Sequence, residues 1–483
     1  MEFELSFVLR KCPRNYMFSM NFPKQLSDGA VKNSDPFYKF FGFLKLICKY
    51  YRLVSDFFCP NAGGVETHIY FLAKCLLQLG HKVIVITHAY GKRRGIRYLS
   101  NGLKVYYLPF IVIYNGSCLP SIVGSLYWFR RIYLEEHIQI VHGHSTFSSM
   151  AHEAMLHAWC LGLRTTFTDH SLFGFADASA ILMNKLVLQY SLANVNRVIC
   201  VSYTSKENTV LRSGVLASKV AVIPNAIDTD LFVPDPLLFR NNLTTVIVLS
   251  RLVYRKASSG ADLLIRIIPR VCSLHNSVRF IIGGDGPKRI EIEEMREKYC
   301  LQDRVIMLGK LRHDQVRDVL VQGQIFLNTS LTEAFCMSIV EAASCGLHVV
   351  STRVGGIPEV LPEEFIMLVE PEPEYLSDAL LKVIRLRERG QLIAPEKKHN
   401  AVCRMYQWPD IAKRTEKVYL SALQCPKLSW FEGLLNYCKH EIGPGILYVW
   451  AALLNMIFIT ILNYFDPIKP ANNRKAERHR FIQ

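Results

Sequence analysis

Twice in this chain an apolar run ends in a glycine-bearing loop, gives way to a helix-patterned stretch, and is followed by another apolar run. The first instance is LVSDFFCPNAGGVETHIYFLAKCLLQLGHKVIVIT. A Pro/Asn/Gly/Gly loop closes its first apolar run. Apolar residues then recur at helical spacing near Val65–Leu79, and a Gly-His turn leads into a strand over Lys82–Thr87. This is a βαβ unit, and parallel strands joined in this way must be covered by helices on both faces. Further strand candidates are Leu103–Leu108, Ile138–His142, Thr165–Thr168, Arg197–Val201 and Val220–Ile223. The pattern pauses at VIPNAIDTDLFVP and restarts with TTVIVLSRL, VRFIIGGDGP, DRVIMLGKL, QIFLNTS, LHVVST and a last strand near Phe365–Leu368. The expected fold class is α/β. Two tandem Rossmann-like, doubly wound domains, residues 52–228 and 229–407, face a cleft at the carboxyl ends of their strands. The helical stretch WPDIAKRTEKVYLSAL is expected to end the second domain, with terminal helices and a linker filling 408–445. Residues 1–51 form a variable segment. Lys49-Tyr50-Tyr51-Arg52 breaks the apolar run, which leaves its pairing in the first sheet open.

One segment belongs to a membrane. Ile446–Phe465 is twenty residues without a charge, long enough to cross a bilayer core as one helix, and a short basic tail follows over 466–483. The formal net charge is +16. Such a field suits phosphorylated small molecules or an anionic membrane surface. The basic residues are dispersed, without zinc-finger spacing or Arg/Gly repeats, so a nucleic-acid partner is not expected. The fourteen cysteines contain no CxxC, and Cys75, Cys200, Cys336 and Cys345 each stand alone in apolar context. That is the pattern of reduced thiols in a cytosolic setting. No secretory signal is recognisable over Met1–Arg10.

Four features fall at predicted strand ends on one edge: Gly63-Gly64, Arg251 with Lys256, Glu333 with Glu341, and Gly355-Gly356. Glycines let backbone N–H groups approach a ligand, and a helix start favours negative charge. Arg and Lys can neutralise a diphosphate, one by its fork and the other as a point charge. If residues 333–341 form one helix, both glutamates point to nearly the same side two turns apart. A solvated helix face would carry such a pair too; agreement with the other three features favours a polar ligand. The GxGxxG spacing of dinucleotide binding and the P-loop are both missing. His142 and His144 have no third ligand at metal-binding spacing, so no metal is expected.

The stretches SDFFCPNAGGVETHIYFLAKCL, VIPNAIDTDLF, SRLVYRK, IIGGDGP, EAFCMSIVE and STRVGGIPEV resemble the retaining, nucleotide-sugar-dependent glycosyltransferases with two Rossmann-like domains. More narrowly, HKVIVITHAYGKRRGIRYLSNGLKVYYLP, FTDHSLFGFAD and CVSYTSKENTVLR are similar to the family of catalytic A subunits of phosphatidylinositol N-acetylglucosaminyltransferase, over about Leu53 to Tyr464. The resemblance implies transfer of N-acetylglucosamine from UDP-GlcNAc, a substrate and not a cofactor, to phosphatidylinositol, the first step of glycosylphosphatidylinositol anchor synthesis. It implies that Glu341 holds the ribose, that Glu333 contacts the donor sugar, and that Arg251 and Lys256 stabilise the diphosphate. Gly64 lets the first domain's loop approach that diphosphate, and Gly355-Gly356 completes the donor side. His144 lies beside the donor sugar, and Asp169 and His170 line the acceptor side. It also implies other membrane subunits, an endoplasmic-reticulum location, a single span, and catalytic domains on the cytosolic face. The chain departs from the family where Ala257-Ser258-Ser259 separate Lys256 from Gly260. The longer loop is thermodynamically cheap, or it displaces Lys256. Two alternatives stay open. One is a different retaining transferase acting on a lipid, such as a GDP-mannose enzyme, since the pattern does not identify the residues that select the nucleobase. The other is a non-catalytic membrane scaffold.

Overall fold

The computed structural model describes residues 49–468 except 62, 115, 174–177, 236, 238–242 and 253–259. Residues 1–48, Lys256, the Ala257-Ser258-Ser259 insertion and the tail from 469 onward therefore lie outside the described residues. The first sheet uses β1 (Tyr50–Val54), β2 (Lys82–His88), β3 (Gly95–Tyr98), β4 (Lys104–Leu108), β7 (Ile140–His144), β8 (Arg164–Asp169), β9 (Arg197–Cys200) and β10 (Val220–Val222). Between β4 and β7, β5 (Val112–Tyr114) and β6 (Ser117–Cys118) form a separate antiparallel ribbon. The second sheet uses β11 (Thr244–Leu249), β12 (Val278–Gly283), β13 (Val305–Gly309), β14 (Ile325–Asn328), β15 (His348–Thr352) and β16 (Ile366–Val369). Their orders are β10-β9-β8-β7-β1-β2-β4-β3 and β13-β12-β11-β14-β15-β16. Only edge strand β3 is antiparallel to its neighbour within these two sheets.

Strand alternation builds the layers. Tyr51 and Leu53 face one core while Val54 faces another; Val246 and Val248 face one core while Ile247 faces another. The stretch ahead of Leu53 does enter the sheet, since Tyr50–Val54 pairs in register with β2 and β7. Arg52 is accommodated there with its guanidinium 4.4 Å from the centre of the Tyr133 ring, an attraction that offsets part of the cost of burying it. Burial lowers its pKa to about 10.

The helix Trp408–Gln424 does not end the second domain. Its Trp408, Ile411, Ala412, Val418 and Tyr419 share a core with Tyr51, Leu53 and Ile69 of the first. An apolar stripe shows that a helix docks but carries no address for the sheet it docks on. The last helix runs over Ile442–Phe465 and takes Gly443-Pro444-Gly445 into its first turn, where a proline removes no hydrogen bond. It has the length and hydropathy of a membrane span, with a mean hydropathy of 2.2. One side docks: Ala452 and Asn455 are fully buried, and Asn455 Nδ2 donates to Ile122 O at 3.3 Å. The other side exposes Leu447, Trp450, Ile457, Phe458 and Phe465. All cysteines among the described residues are free.

Candidate active site

In the first sheet β1 has β2 on one flank and β7 on the other, and in the second β11 lies between β12 and β14. These are topological switch points, where loops diverge and leave a crevice. The loops leaving β1 and β7 carry Gly64 and Ser145, just beyond His144. Those leaving β11 and β14 carry Arg251 and Glu333. Gly63 is the N-cap of the Gly64–Gln78 helix and gives it no side-chain cap; a Cβ there would stand 2.5 Å from Glu66 Oε2, while the space over Gly64 is open. The Glu66 carboxylate lies over this first turn and accepts from its own backbone N–H, while the space over Gly64 stays open to a ligand.

The glutamates do not share a helix. The helix spans Met337–Ser344, and its N-cap Cys336 has φ 64, a left-handed conformation that ends any continuation toward Glu333. Glu341 lies on the helix and Glu333 on the loop before it. Ser330 Oγ donates to Glu333 Oε1 at 3.1 Å. Burial raises the Glu333 carboxyl, with Ser330 and Arg251 opposing the rise. Glu66, from the first domain, is also raised by burial and drawn back by Arg251. One guanidinium thus acts on a carboxylate from each side of the cleft. Glu341 is half-buried, and burial is the only cause that pushes its carboxyl up to about 7.

Gly355 and Gly356 set that loop. Gly356 N donates to Glu333 O at 2.9 Å. A Cβ on Gly356 would lie 2.1 Å from Ala334 O and 2.7 Å from Ser202 Oγ. Ser202 Oγ itself donates to Ala334 O at 2.7 Å, tying the first domain to the glutamate loop. Gly356→Ala is expected to cost about 1–3 kcal/mol of stability by overpacking and to weaken transfer by displacing Glu333. Thermal unfolding and initial rates of the variant would check this. Unchanged values for both would show that the loop relaxes freely.

The histidines sit on the other wall. His142 is fully engaged, by Tyr419 OH at 2.6 Å and Thr168 Oγ1 at 2.7 Å, and serves the frame. His144 Nδ1 meets His170 Nε2 at 3.3 Å, and His68 Nδ1 meets Asn225 Oδ1 at 3.0 Å. Nitrogens of His68, His144 and His170 lie within 4.8 Å of one another. His144 thus has two histidine partners in space, His68 and His170, that the spacing around His142 and His144 does not show, and such a group has the donors for a metal ion. The His144–His170 contact already joins two of these imidazoles directly. Burial, with the neighbouring imidazoles, lowers the pKa of all three, that of His170 to about 3, so they are neutral donors and acceptors. His144 Nε2 is buried with no hydrogen-bond partner. Asp169 is fully buried behind this wall. It pairs with Arg212 and accepts from Thr209 Oγ1 at 2.9 Å, Thr146 Oγ1 at 3.0 Å and Ser171 N at 3.0 Å. Its carboxylate braces the turns that carry His144 and His170.

Sequence reasoning missed Glu66, His68 and Glu359. Glu66 and His68 lie in the helix already identified, in its first and second turns. Glu359 accepts from Tyr203 N at 2.6 Å and Thr204 N at 2.8 Å, capping a first-domain helix from the second domain. Its only signal was its place beside Gly355-Gly356.

Known proteins match this sequence and this fold. The family described as PIGA (GPI anchor biosynthesis) matches residues 88–177, and Glycosyl transferases group 1 matches residues 244–385. Sucrose-phosphate synthase from Thermosynechococcus elongatus shares the fold at TM-score 0.62 and 19% identity, over 77% of this chain and 98% of that one. The A subunit of phosphatidylinositol N-acetylglucosaminyltransferase from Arabidopsis thaliana is 52% identical over 415 residues, 86% of this chain and 91% of the relative. Its Homo sapiens counterpart is 55% identical over 421 residues, 86% of this chain and 85% of the relative. With half its residues identical over most of both chains, this protein belongs to the family of phosphatidylinositol N-acetylglucosaminyltransferase A subunits.

Proposed function

We propose that the protein is the enzyme that transfers N-acetylglucosamine from UDP-GlcNAc to phosphatidylinositol with retention of configuration, the first step of glycosylphosphatidylinositol anchor biosynthesis. Beside the family membership, the observation that carries this reading is the cleft at the second sheet's switch point. There Arg251 faces Glu333 and Glu66, and Glu341 is a carboxyl raised by burial alone. In this reading Glu341 accepts from the ribose hydroxyls and Glu333 from hydroxyls of the donor sugar. Arg251, with Lys256, neutralises the diphosphate as charge grows on it. Gly64 opens the first helix turn to the same diphosphate, and Gly355-Gly356 holds the Glu333 loop. His144 stands beside the sugar and His170 beside the acceptor, with Asp169 bracing both. The acceptor hydroxyl oxygen bonds to the anomeric carbon on the face from which UDP departs. Its proton passes to the leaving diphosphate oxygen, and no glutamate forms a covalent intermediate.

Other membrane subunits complete the enzyme. It resides in the endoplasmic-reticulum membrane with the cleft in the cytosol and a single span. Protease treatment of sealed microsomes checks the orientation: a catalytic portion resistant until detergent is added would reverse it. The substrate reading is tested with the assembled complex and labelled UDP-GlcNAc. Label is expected in phosphatidylinositol, and UDP release is expected only when that lipid is present. Transfer from GDP-mannose instead would overturn the donor, and normal assembly and UDP binding with no turnover would favour a scaffold.

Glu341 also gives a pH dependence. Its folded pKa, about 7, stands above the ordinary carboxyl value of 4.5. Its contribution to the stability of the empty protein is therefore fully present below about 4.5 and lost as pH rises through about 7. Donor binding runs the opposite way, because the ribose hydroxyls need the ionised carboxylate. UDP-GlcNAc, which has no group of its own titrating in this range, should bind about tenfold more weakly at pH 6 than at pH 8. Calorimetry on the parent and on Glu341→Gln would measure it. A parent affinity that does not vary with pH would remove Glu341 from the ribose.

A further inference from the structure

The ribbon β5–β6 belongs to neither main sheet. It and its flanks present a row of branched aliphatic residues to solvent: Ile111, Val112, Ile113, Leu119 and Ile122 are 68, 41, 59, 51 and 48% exposed. Exposed apolar residues scattered singly need no explanation, but a contiguous set in one short stretch does. The ribbon is also firmly held at both ends. Cys118 N donates to Asp56 Oδ1 at 3.0 Å and Ser117 Oγ donates to Phe147 O at 3.0 Å. Asp56 lies on the loop that leads from β1 to Gly64, and Phe147 on the loop that leaves β7 after His144. At the other end Ile122 N donates to Glu153 Oε1 at 2.9 Å, and Ile122 O accepts from Asn455 of the transmembrane helix at 3.3 Å. Ile122 is held between them at φ 59, a conformation that a β-branched residue avoids. The aliphatic row therefore runs from a helix that lies in the bilayer to the two loops that carry the rim of the cleft.

We propose that the β5–β6 ribbon inserts into the membrane leaflet beside the transmembrane helix and delivers the headgroup of the acceptor phospholipid to the cleft. The proposal rests on the reading of the acceptor as a membrane lipid. A bilayer is the occupant for three reasons. The row ends at Ile122 on the docked side of the transmembrane helix, at Asn455, and the opposite side of that helix exposes Leu447, Ile457 and Phe458. Its side chains are aliphatic, whereas the centres of protein–protein interfaces favour Trp, Tyr and Arg. Exposed Lys92, Arg93 and Arg94 follow β2, whose carboxyl end lies beside that of β4, from which the ribbon departs. Basic side chains at that level suit an anionic leaflet surface. A lipid whose acyl chains stay in the bilayer then has an apolar edge to follow from its own plane to the loops of Gly64 and His144.

The test uses the full complex in proteoliposomes, with Ile111→Glu/Ile113→Glu as the variant and Ile111→Leu/Ile113→Leu as its control. With long-chain phosphatidylinositol in the bilayer, the glutamate variant is expected to lose about tenfold or more of its transfer rate while the leucine control keeps the parent's rate. With a water-soluble, short-chain phosphatidylinositol added from solution, all three proteins should act alike. A glutamate variant that uses the long-chain lipid as well as the parent does overturns the proposal. So does equal loss with both lipids, and so does a variant complex that has lost one of its other chains, which would make the ribbon a protein contact. A parent that glycosylates neither lipid overturns the substrate reading instead.

Discussion

Asp169→Ala is expected to destabilise the first domain by about 3–5 kcal/mol, the cost of removing one partner from a buried ion pair. Asp169 and Arg212 are both fully buried, and the Asp169 side chain also receives two hydroxyls and a backbone N–H. Its loss strands a guanidinium whose remaining partners among the described residues are Asn184 Oδ1, at 3.4 Å, and the ring of Phe173. Most single domains have about 5–15 kcal/mol in total, so the variant should be found at sharply reduced abundance in membranes. The double variant Asp169→Ala/Arg212→Met removes the stranded charge and should recover part of the loss. Thermal unfolding of the detergent-solubilised complexes would measure both. An alanine variant as stable as the parent would show that the pair does not hold this wall. Because the same carboxylate braces the turns of His144 and His170, any Asp169→Ala protein that folds should also transfer slowly.

The second large effect divides the two glutamates. Glu341→Gln keeps the shape and removes the charge, and donor affinity should fall by about 1.5–3 kcal/mol, the range for hydrogen bonds to charged groups. That is roughly ten- to 150-fold in Kd. Glu333→Gln should leave UDP affinity nearly unchanged and lower kcat, because the partners proposed for it are on the sugar near the reacting carbon. UDP binding by calorimetry and single-turnover transfer separate the two results. Ordinary surface charges would change stability by no more than about 0.5 kcal/mol and leave activity alone. Near-parent values in both mutants would therefore return the pair to a solvated role. The structure adds a reason for the division. Cys336 at φ 64 breaks the segment, so Glu341 is fixed by the helix and Glu333 by a loop that touches both domains.

Most of the two sheets was legible because apolar runs and glycine turns are local signals. The first-sheet strands placed between Lys82 and Ile223 fall within two residues of the observed ones, and each second-sheet apolar run from Thr244 to Leu368 overlaps one strand. Edge strand β3 was not legible, since Gly95–Tyr98 is mostly exposed and lacks an apolar run. The strand ends carrying Arg251 and Glu333 were legible for the same local reason. What escaped depends on distant partners. The E-x7-E spacing fits a helix equally well, and it is the left-handed Cys336 and the contact of Gly356 with Glu333 that show otherwise. His68 is indistinguishable from an ordinary helix histidine until His144 and His170 are brought beside it. An aspartate at a strand end looks like a ligand-binding residue, and only the buried Arg212 marks Asp169 as a brace. The Trp408 helix shows its apolar stripe plainly but not that its place is against Tyr51 and Ile69.

The end of the transmembrane helix bears on how the enzyme searches for substrate. Arg130, buried on the helix Leu126–Glu135, donates through Nη2 to Asn463 Oδ1 at 2.7 Å and to the carbonyl of Asp466 at 3.1 Å. Swinging the anchor away would strip those acceptors from a buried cation. The anchor is therefore a mount and not a leash. A catalytic unit on a loose tether visits many heights and tilts, and only some of them place its mouth where a headgroup can enter. Here the angle between the helix and the catalytic body is fixed once, when the chain folds. What remains is diffusion in a plane, so meeting an acceptor becomes a two-dimensional search whose rate follows the lateral density of the lipid and not its bulk concentration.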